Sequence, residues 1–134
     1  LASSAASDVY KRQLYGWVQA RDAVRRKLPL VVVEGYMDVI AVQRSGIAAA
    51  VAPLGTALTP EQIALLWKMH DEPILCFDGD AAGQRAQLRA LERILPLLEP
   101  GRSARLAMLG LRTRGAVVLY TNCLRPTGYR LRQQ

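Results

Sequence analysis

Short apolar runs alternate with helical patterns through the middle of the chain. Runs at residues 30–33, 48–51 and 74–77 are apolar throughout and have the length of buried strands in a parallel sheet. The segments around them repeat apolar residues at helical spacing, at 15–27, 37–44, 60–70 and 81–95. A further strand is predicted at 105–109. This alternation predicts an α/β fold with a central, mainly parallel sheet, right-handed crossovers and helices on its faces.

Capping residues and helix breakers indicate where these helices begin and end. Thr59 suits the N-cap of the third helix, because Pro60 follows it at the first helical position and Gln62 completes a capping box. Pro29 ends the first helix, and Gly46 ends the second. The boundaries predicted from periodicity and from capping therefore agree.

The two ends of the chain differ in charge from its middle. Residues 28–100 contain five Lys or Arg and nine Asp or Glu, whereas residues 1–27 and 101–134 together contain thirteen basic and two acidic residues. An acidic centre between basic flanks suits a cation site that acts on a polyanion, although simply basic tails explain the flanks equally well. We expect residues 14–110 to form the domain and residues 1–13 to be disordered or foreign to it. Residues 111–134 form a basic tail whose structure the pattern does not define.

Composition also bears on the cellular setting. No apolar stretch approaches the ~18 residues that cross a membrane, and the first residues lack the pattern of a signal peptide. The two cysteines, Cys76 and Cys123, form no disulfide framework. A reduced, cytoplasmic protein without membrane association is therefore expected.

Two acidic strings follow predicted strands. Glu34-Gly35-Tyr36-Met37-Asp38 comes after the first, and Asp78-Gly79-Asp80 comes after the third. Open α/β sheets bind ligands at the carboxyl ends of their strands. Carboxylates collected there repel one another, by roughly 4 kcal/mol for two charges about 4 Å apart at an effective dielectric near 20. A hard divalent cation that also bridges to phosphate relieves this repulsion, so the strings predict metal-assisted phosphate chemistry.

Each acid by itself has an ordinary structural explanation. Glu34 suits a solvated strand end, Asp38 suits the first turn of a helix, and Asp80 suits an N-cap. It is the joint arrangement, two acids from each of two parallel strands, that favours a metal site.

Other chemistries find little support in the sequence. His70 is the only histidine and suits a helix-capping or surface position, and no cysteine cluster indicates zinc. The spacing of Gly79 and Gly83 matches neither a dinucleotide fingerprint nor a P-loop. Trp17 and Trp67 stand among apolar residues at helical spacing, which favours core positions over base stacking.

These motifs resemble a known family. Three strings carry the resemblance: Val32-Val33-Glu34-Gly35-Tyr36-Met37-Asp38-Val39, Leu54-Gly55-Thr56 and Phe77-Asp78-Gly79-Asp80-Ala81-Ala82-Gly83. In this order they are similar to the Toprim domain of bacterial DnaG-type primases. The resemblance covers about residues 14–109. It favours primases over the topoisomerase and nuclease branches of the same superfamily.

The resemblance implies a catalytic core that copies single-stranded DNA into a short RNA primer from nucleoside triphosphates during replication. In the family, the matching acids organise Mg²⁺ or Mn²⁺, which assigns catalysis and metal binding to Glu34, Asp78 and Asp80, with Asp38 as a supporting ligand. Phosphoryl transfer needs positioning and charge neutralisation more than a covalent group, which agrees with such a site. Basic side chains outside the acidic pocket would hold template or nucleotide phosphates. The candidates are Arg25, Arg26, Lys27 and Arg85.

The chain also departs from the family. Primases carry a further Asp-x-Asp string after the fourth strand, and residues 101–134 contain no Asp or Glu. The zinc module, the preceding polymerase subdomain and the domain that contacts the replicative helicase have no counterpart in these residues. We therefore expect the chain to be a fragment with foreign ends that binds the metal weakly and makes little primer.

Two other functions stay open at this point. A small Toprim nuclease would use the same acids to cleave DNA, and a non-catalytic nucleic-acid-binding module would rely on the basic flanks alone. A receiver-like phosphate-accepting pocket is less consistent with the sequence, because no Lys lies where a fourth or fifth strand would end.

Overall fold

Four parallel strands form the centre of a seven-stranded sheet in the computed structural model, which describes residues 9, 13–54, 57–109, 119–125 and 128–132. The sheet has the order β1-β3-β2-β4-β5-β6-β7. Its strands are β1 (Leu14–Tyr15), β2 (Leu30–Val32), β3 (Ala49–Pro53), β4 (Ile74–Asp78), β5 (Ala104–Leu109), β6 (Leu119–Arg125) and β7 (Gly128–Arg132). Strands β3, β2, β4 and β5 run parallel, and the outer strands β1, β6 and β7 are antiparallel to their neighbours. The predicted α/β fold with a central parallel sheet is confirmed.

The helices lie close to their predicted positions. They are α1 (Trp17–Arg25), α2 (Tyr36–Ser45), α3 (Pro60–Met69) and α4 (Ala81–Ile94), and a 3₁₀ turn (Leu95–Leu97) continues α4. The capping box of α3 is present, since the Thr59 hydroxyl accepts from the Gln62 N–H at 3.2 Å and the Gln62 side chain accepts from the Thr59 N–H at 3.0 Å. In the described part of the chain, no helix has the length and apolar character needed to cross a bilayer.

Alternate residues of the strands pack on opposite sides of the sheet, which places a core on each face. The larger core combines Leu30, Leu75 and Leu106 of the sheet with Leu66 of α3 and Ile94 of α4. The smaller core lies under α2 and contains Val33, Val39, Ala50 and Ala52. Because both faces are covered, the strands are apolar throughout rather than alternating.

Both tryptophans contribute to the larger core, as their spacing predicted. Trp67 is buried, and its Nε1–H donates to the Ser103 carbonyl at 2.9 Å. Trp17 is partly buried and packs against the same cluster. Neither indole is therefore presented as a platform for a nucleic-acid base.

The sheet extends further than the sequence pattern indicated. The sequence pattern predicts no strand at Leu14 and Tyr15. In the structure these residues pair with Pro53 and Ala52 and form the edge strand β1. Gly16 separates this strand from α1, because its φ of 82° is open mainly to glycine. The helical pattern predicted from residue 15 therefore begins at Trp17.

At the opposite edge, β6 and β7 add an antiparallel pair next to β5. They lie within the segment predicted as a basic tail of undefined structure. The expectation that residues 1–13 are disordered falls almost entirely outside the described residues, and so does the Gly55-Thr56 part of the second motif. The proposed domain limits of 14 and 110 stay a prediction.

Candidate active site

The edge of the sheet at the carboxyl ends of β2 and β4 carries three of the predicted acids. Glu34 lies two residues past β2, Asp78 is the last residue of β4, and Asp80 is the N-cap of α4. Strands β2 and β4 are adjacent and parallel, with Val32 opposite Leu75. Parallel neighbours end at the same edge, so the local turns deliver the three carboxylates to one place.

Glu34 lies directly against Asp78. Their carboxyl groups are within hydrogen-bonding reach, and the backbone N–H of Asp78 donates toward Glu34. Partial burial raises the pKa of Glu34 above its ordinary value, and the carboxyl of Asp78 raises it further. The charge of Asp80 acts in the same direction, and the Asp78 N–H opposes these effects. The structure thus places Glu34 against Asp78, with the charge of Asp80 acting on Glu34 from the start of α4; their role as metal ligands stays a prediction.

Asp80 has a structural contact as well. Its Oδ1 accepts a hydrogen bond from the Gly83 N–H at 2.7 Å, which caps the first turn of α4. The N-cap interpretation of Asp80 is therefore confirmed; the cap uses one carboxylate oxygen, and a metal-binding role for the other stays a prediction.

Asp38 is placed differently from the other three acids. It lies in the first turn of α2, where a carboxylate suits the positive end of the helix dipole. Its Oδ2 lies close to Gly35, and the groups that raise the pKa of Glu34 belong to Asp78 and Asp80. A direct role in the cluster is therefore less supported for Asp38 than for the other acids.

The donor set limits which kind of metal site fits. Among the described residues, no three His, Cys, Asp or Glu side chains converge closely enough to hold an ion by themselves. Magnesium commonly binds through one or two carboxylates, with waters and substrate phosphates as its other ligands. The repulsion between Glu34 and Asp78 is what a cation would relieve. The residues present therefore fit an ion shared with a phosphate substrate, and they do not fit a closed structural metal site.

The predicted basic residues are divided between the two edges of the sheet. Arg25 is the last residue of α1, and Arg26 and Lys27 follow it before β2. All three thus lie at the amino end of the strand that delivers Glu34 at its other end. At 3.3 Å per residue, the path from Leu30 to Glu34 is about 13 Å. Arg85 is exposed in the second turn of α4, close in sequence to Asp80. The distance between these basic residues and Glu34 could have been predicted from the sequence, because the basic residues directly precede β2 and Glu34 follows it.

Two further arginines that share a cavity with Glu34 were missed from the sequence. Arg89 and Arg93 of α4 line a mostly apolar cavity of about 230 Å³ between α4 and the loop after β3, and Glu34 also lines it. Arg93 Nη1 donates to the Leu58 carbonyl at 2.6 Å and so joins this loop to α4. The sequence contained a signal for these two arginines, because they follow Arg85 at intervals of four residues, which is the spacing of one helix face.

Other reactive side chains do not suggest a second chemistry. His70 is the C-cap of α3, which confirms its predicted capping position, and its Nδ1 accepts from the Glu72 N–H at 3.0 Å. Burial raises the pKa of the Cys76 thiol to about 11, so this thiol is protonated at neutral pH and is a poor nucleophile or metal ligand.

Comparisons with known proteins agree with this geometry. Residues 29–107 match the Toprim domain family, a range that includes all three clustered acids. The chain is 48% identical over 97 residues to the DNA primase of Pasteurella multocida, an alignment that covers 72% of this chain and 17% of that primase.

Solved structures give the same result at the level of the fold. A crystal structure of a DNA primase domain from Pseudomonas aeruginosa superimposes with a TM-score of 0.67 at 46% identity, over 75% of this chain and 31% of that one. A DnaG primase catalytic domain bound to single-stranded DNA gives 0.66 at 45% identity, over 75% and 32% of the two chains. The chain thus spans about a sixth of the curated relative and about a third of these catalytic domains.

Proposed function

Because the chain belongs to the Toprim family, we propose that it is the metal-binding part of a DNA primase catalytic core. The observation that carries the proposal is the contact between the carboxyl groups of Glu34 and Asp78, within the field of Asp80, where β2 and β4 end at the same edge of the sheet. Toprim domains are metal-dependent in general. We assign Mg²⁺ or Mn²⁺ to this edge, because oxygen ligands and a phosphate substrate suit these ions.

The proposed reaction extends an RNA primer with nucleoside triphosphates on a single-stranded DNA template. When bound, the divalent ion supplies charge neutralisation for the phosphate oxygens during nucleotidyl transfer. Carboxylates of Glu34, Asp78 and Asp80 would hold the ion jointly with water and the substrate phosphate, one or two of them as direct ligands, and would thereby orient the phosphates next to them. Arg85 and Arg89 lie on α4 beyond the acids and contact nucleotide or template phosphates.

The template assignment is supported by the relative that was solved with single-stranded DNA. In this proposal a template segment passes the amino ends of the strands and contacts Arg25, Arg26 and Lys27. These side chains do not reach the acids, which lie at the carboxyl ends of the strands.

The test of the proposal is a Mn²⁺ titration followed by electron paramagnetic resonance. The double variant Asp78→Asn/Asp80→Asn should bind Mn²⁺ at least about tenfold more weakly than the wild type, because two charged oxygen ligands are lost; tenfold corresponds to about 1.4 kcal/mol. Asp22→Asn is the matched control, since Asp22 is an exposed acid of α1 that pairs with Arg21 and Arg25.

Equal binding by the wild type and the double variant would contradict the proposed site. Incubation with plasmid and Mg²⁺ separates the primase from a Toprim nuclease, because nicking would favour the nuclease. We expect no nicking. We also expect little primer synthesis from the chain by itself, because no acid follows residue 99 that could match the further Asp-x-Asp string of the family.

A further inference from the structure

We propose that Gly83 is a positioning residue of the site, which holds Asp78 and Asp80 beside Glu34 by letting the backbone of α4 rest directly on the end of β4. The inference depends on the metal-binding role proposed above, and it concerns a residue that touches no substrate. Two independent contacts of Gly83 support it, one through space and one through a hydrogen bond.

The first contact is the close approach of the Gly83 backbone to Asp78, which leaves no room for a side chain. Gly83 is buried in the first turn of α4, and a Cβ added there would overlap the carbonyl oxygen of Asp78. That Cβ would also lie 2.6 Å from the carbonyl carbon and 2.9 Å from the backbone nitrogen of Asp78. Backbone atoms of a central strand cannot move aside as a flexible side chain can. Any side chain at this position would therefore separate α4 from β4.

Backbone conformation does not explain the glycine. The positive-φ glycines of the described residues are Gly16, Gly46 and Gly101, and Gly83 has ordinary helical geometry. Alanine is a better helix former than glycine, so the helix alone would favour alanine here. What requires glycine at this position is its closeness to Asp78.

The second contact joins Gly83 to the other aspartate. Its N–H donates to Asp80 Oδ1 at 2.7 Å, so one residue touches both members of the Asp-Gly-Asp string. The backbone N–H of Asp78 in turn donates toward Glu34. A displacement of α4 would thus reach all three acids through Gly83, then the Asp78 backbone, then the Glu34 carboxyl.

The experiment compares Gly83→Ala with Gly101→Ala. Gly101 has a φ of 86° and open space around its Cα, so its alanine variant is strained without any contact with the acids. Three properties are measured for both: the Mn²⁺ affinity, the folded fraction from circular dichroism, and the backbone amide chemical shifts of Glu34 and Asp78 in metal-free protein.

Under conditions where both variants are folded, Gly83→Ala should bind Mn²⁺ at least about tenfold more weakly and shift the Glu34 and Asp78 amides. Gly101→Ala should leave both properties unchanged even though it lowers stability. A folded Gly83→Ala protein with wild-type Mn²⁺ affinity and unshifted amides would overturn the inference. Failure of the wild type itself to bind Mn²⁺ would overturn the proposed function instead, and the metal-free amide shifts would still decide the role of Gly83.

A second pair of variants covers the case in which Gly83→Ala does not fold. Asp80→Asn keeps an oxygen acceptor for the Gly83 N–H, and Asp80→Ala removes it. Hydrogen exchange of the Gly83 amide should be slow in the wild type and in Asp80→Asn, and fast in Asp80→Ala, which should also shift the Asp78 amide. Fast exchange in the wild type, or an unshifted Asp78 amide in Asp80→Ala, would overturn the inference.

Discussion

Glu34 shows at the scale of one residue how the site opposes the stability of the fold. Partial burial raises its pKa most, and the carboxyl of Asp78 and the charge of Asp80 raise it further. Folding therefore brings negative charges together that the unfolded chain keeps apart. A bound cation would turn this unfavourable contact into a favourable one, which is why such clusters suit metal-dependent chemistry.

A stability measurement in the absence of metal tests this argument. Because the pKa of Glu34 is higher in the folded state, the protonated form stabilises the fold below the unfolded-state pKa. That contribution is lost as the pH rises through the folded-state pKa. Glu34→Gln cannot ionise, so it should unfold at higher urea concentration than the wild type at about pH 7.5 and show little gain at about pH 4.

The unfolding experiments contain EDTA, and Asp22→Asn again serves as the control. Asp22 lies beside Arg21 and Arg25 rather than beside other acids, so its neutralisation should bring no gain at about pH 7.5. A Glu34→Gln protein that is less stable than the wild type at this pH would show that repulsion is not what Glu34 experiences.

At the scale of elements, the junctions between strand and helix decide where the chemistry lies. The β2–α2 and β4–α4 connections are short, so the acids cannot leave the sheet edge. The start of α3 is held in another way, by the capping box of Thr59 and Gln62. Gln62 is 1% exposed, so its amide depends on these contacts in place of water.

Thr59→Ala should lower the free energy of unfolding by about 1 kcal/mol, because the Gln62 N–H loses its acceptor. Thr59→Ser keeps the hydroxyl and should lose much less. Urea denaturation of the two variants and the wild type measures the difference. Equal losses from Ala and Ser would mean that the methyl group of Thr59, and not the cap, provides the stability.

At the scale of the whole molecule, charge is distributed unevenly around the sheet. The acids lie at the carboxyl edge, Arg25 to Lys27 lie at the amino edge, and Arg85 and Arg89 extend along α4. Phosphates would be attracted to the basic regions and repelled by the charges of the acidic cluster. The proposed function and a non-catalytic binding module therefore differ in what a divalent ion does to DNA binding.

A fluorescent single-stranded oligonucleotide distinguishes these two functions. Its affinity should fall with salt, with a log–log slope of about −0.7 for each phosphate neutralised. At constant ionic strength, Mg²⁺ should raise the affinity of the wild type relative to Glu34→Gln/Asp78→Asn/Asp80→Asn, because only the wild type can bridge the ion to phosphate. If Mg²⁺ leaves the ratio of the wild-type affinity to the variant affinity unchanged, the non-catalytic binding module is favoured.

Local pattern was sufficient for much of this protein. The central strands, the four helices, the α3 capping box and the sheet edge that carries Glu34, Asp78 and Asp80 all follow from periodicity and turn residues, because these features depend on neighbours within a few positions. Residues 29–107 match the Toprim family, a range that contains these three acids.

Tertiary structure decided what depends on distant partners. The β1–β3 pairing and the addition of β6 and β7 to β5 join segments whose own sequences carry weak strand signals. The hydrogen-bonding reach between Glu34 and Asp78, the cavity shared with Arg89, and the seat of Gly83 on Asp78 require atoms from separate elements to meet. A residue pattern fixes which way a chain turns locally, whereas packing alone sets how closely two turns approach each other.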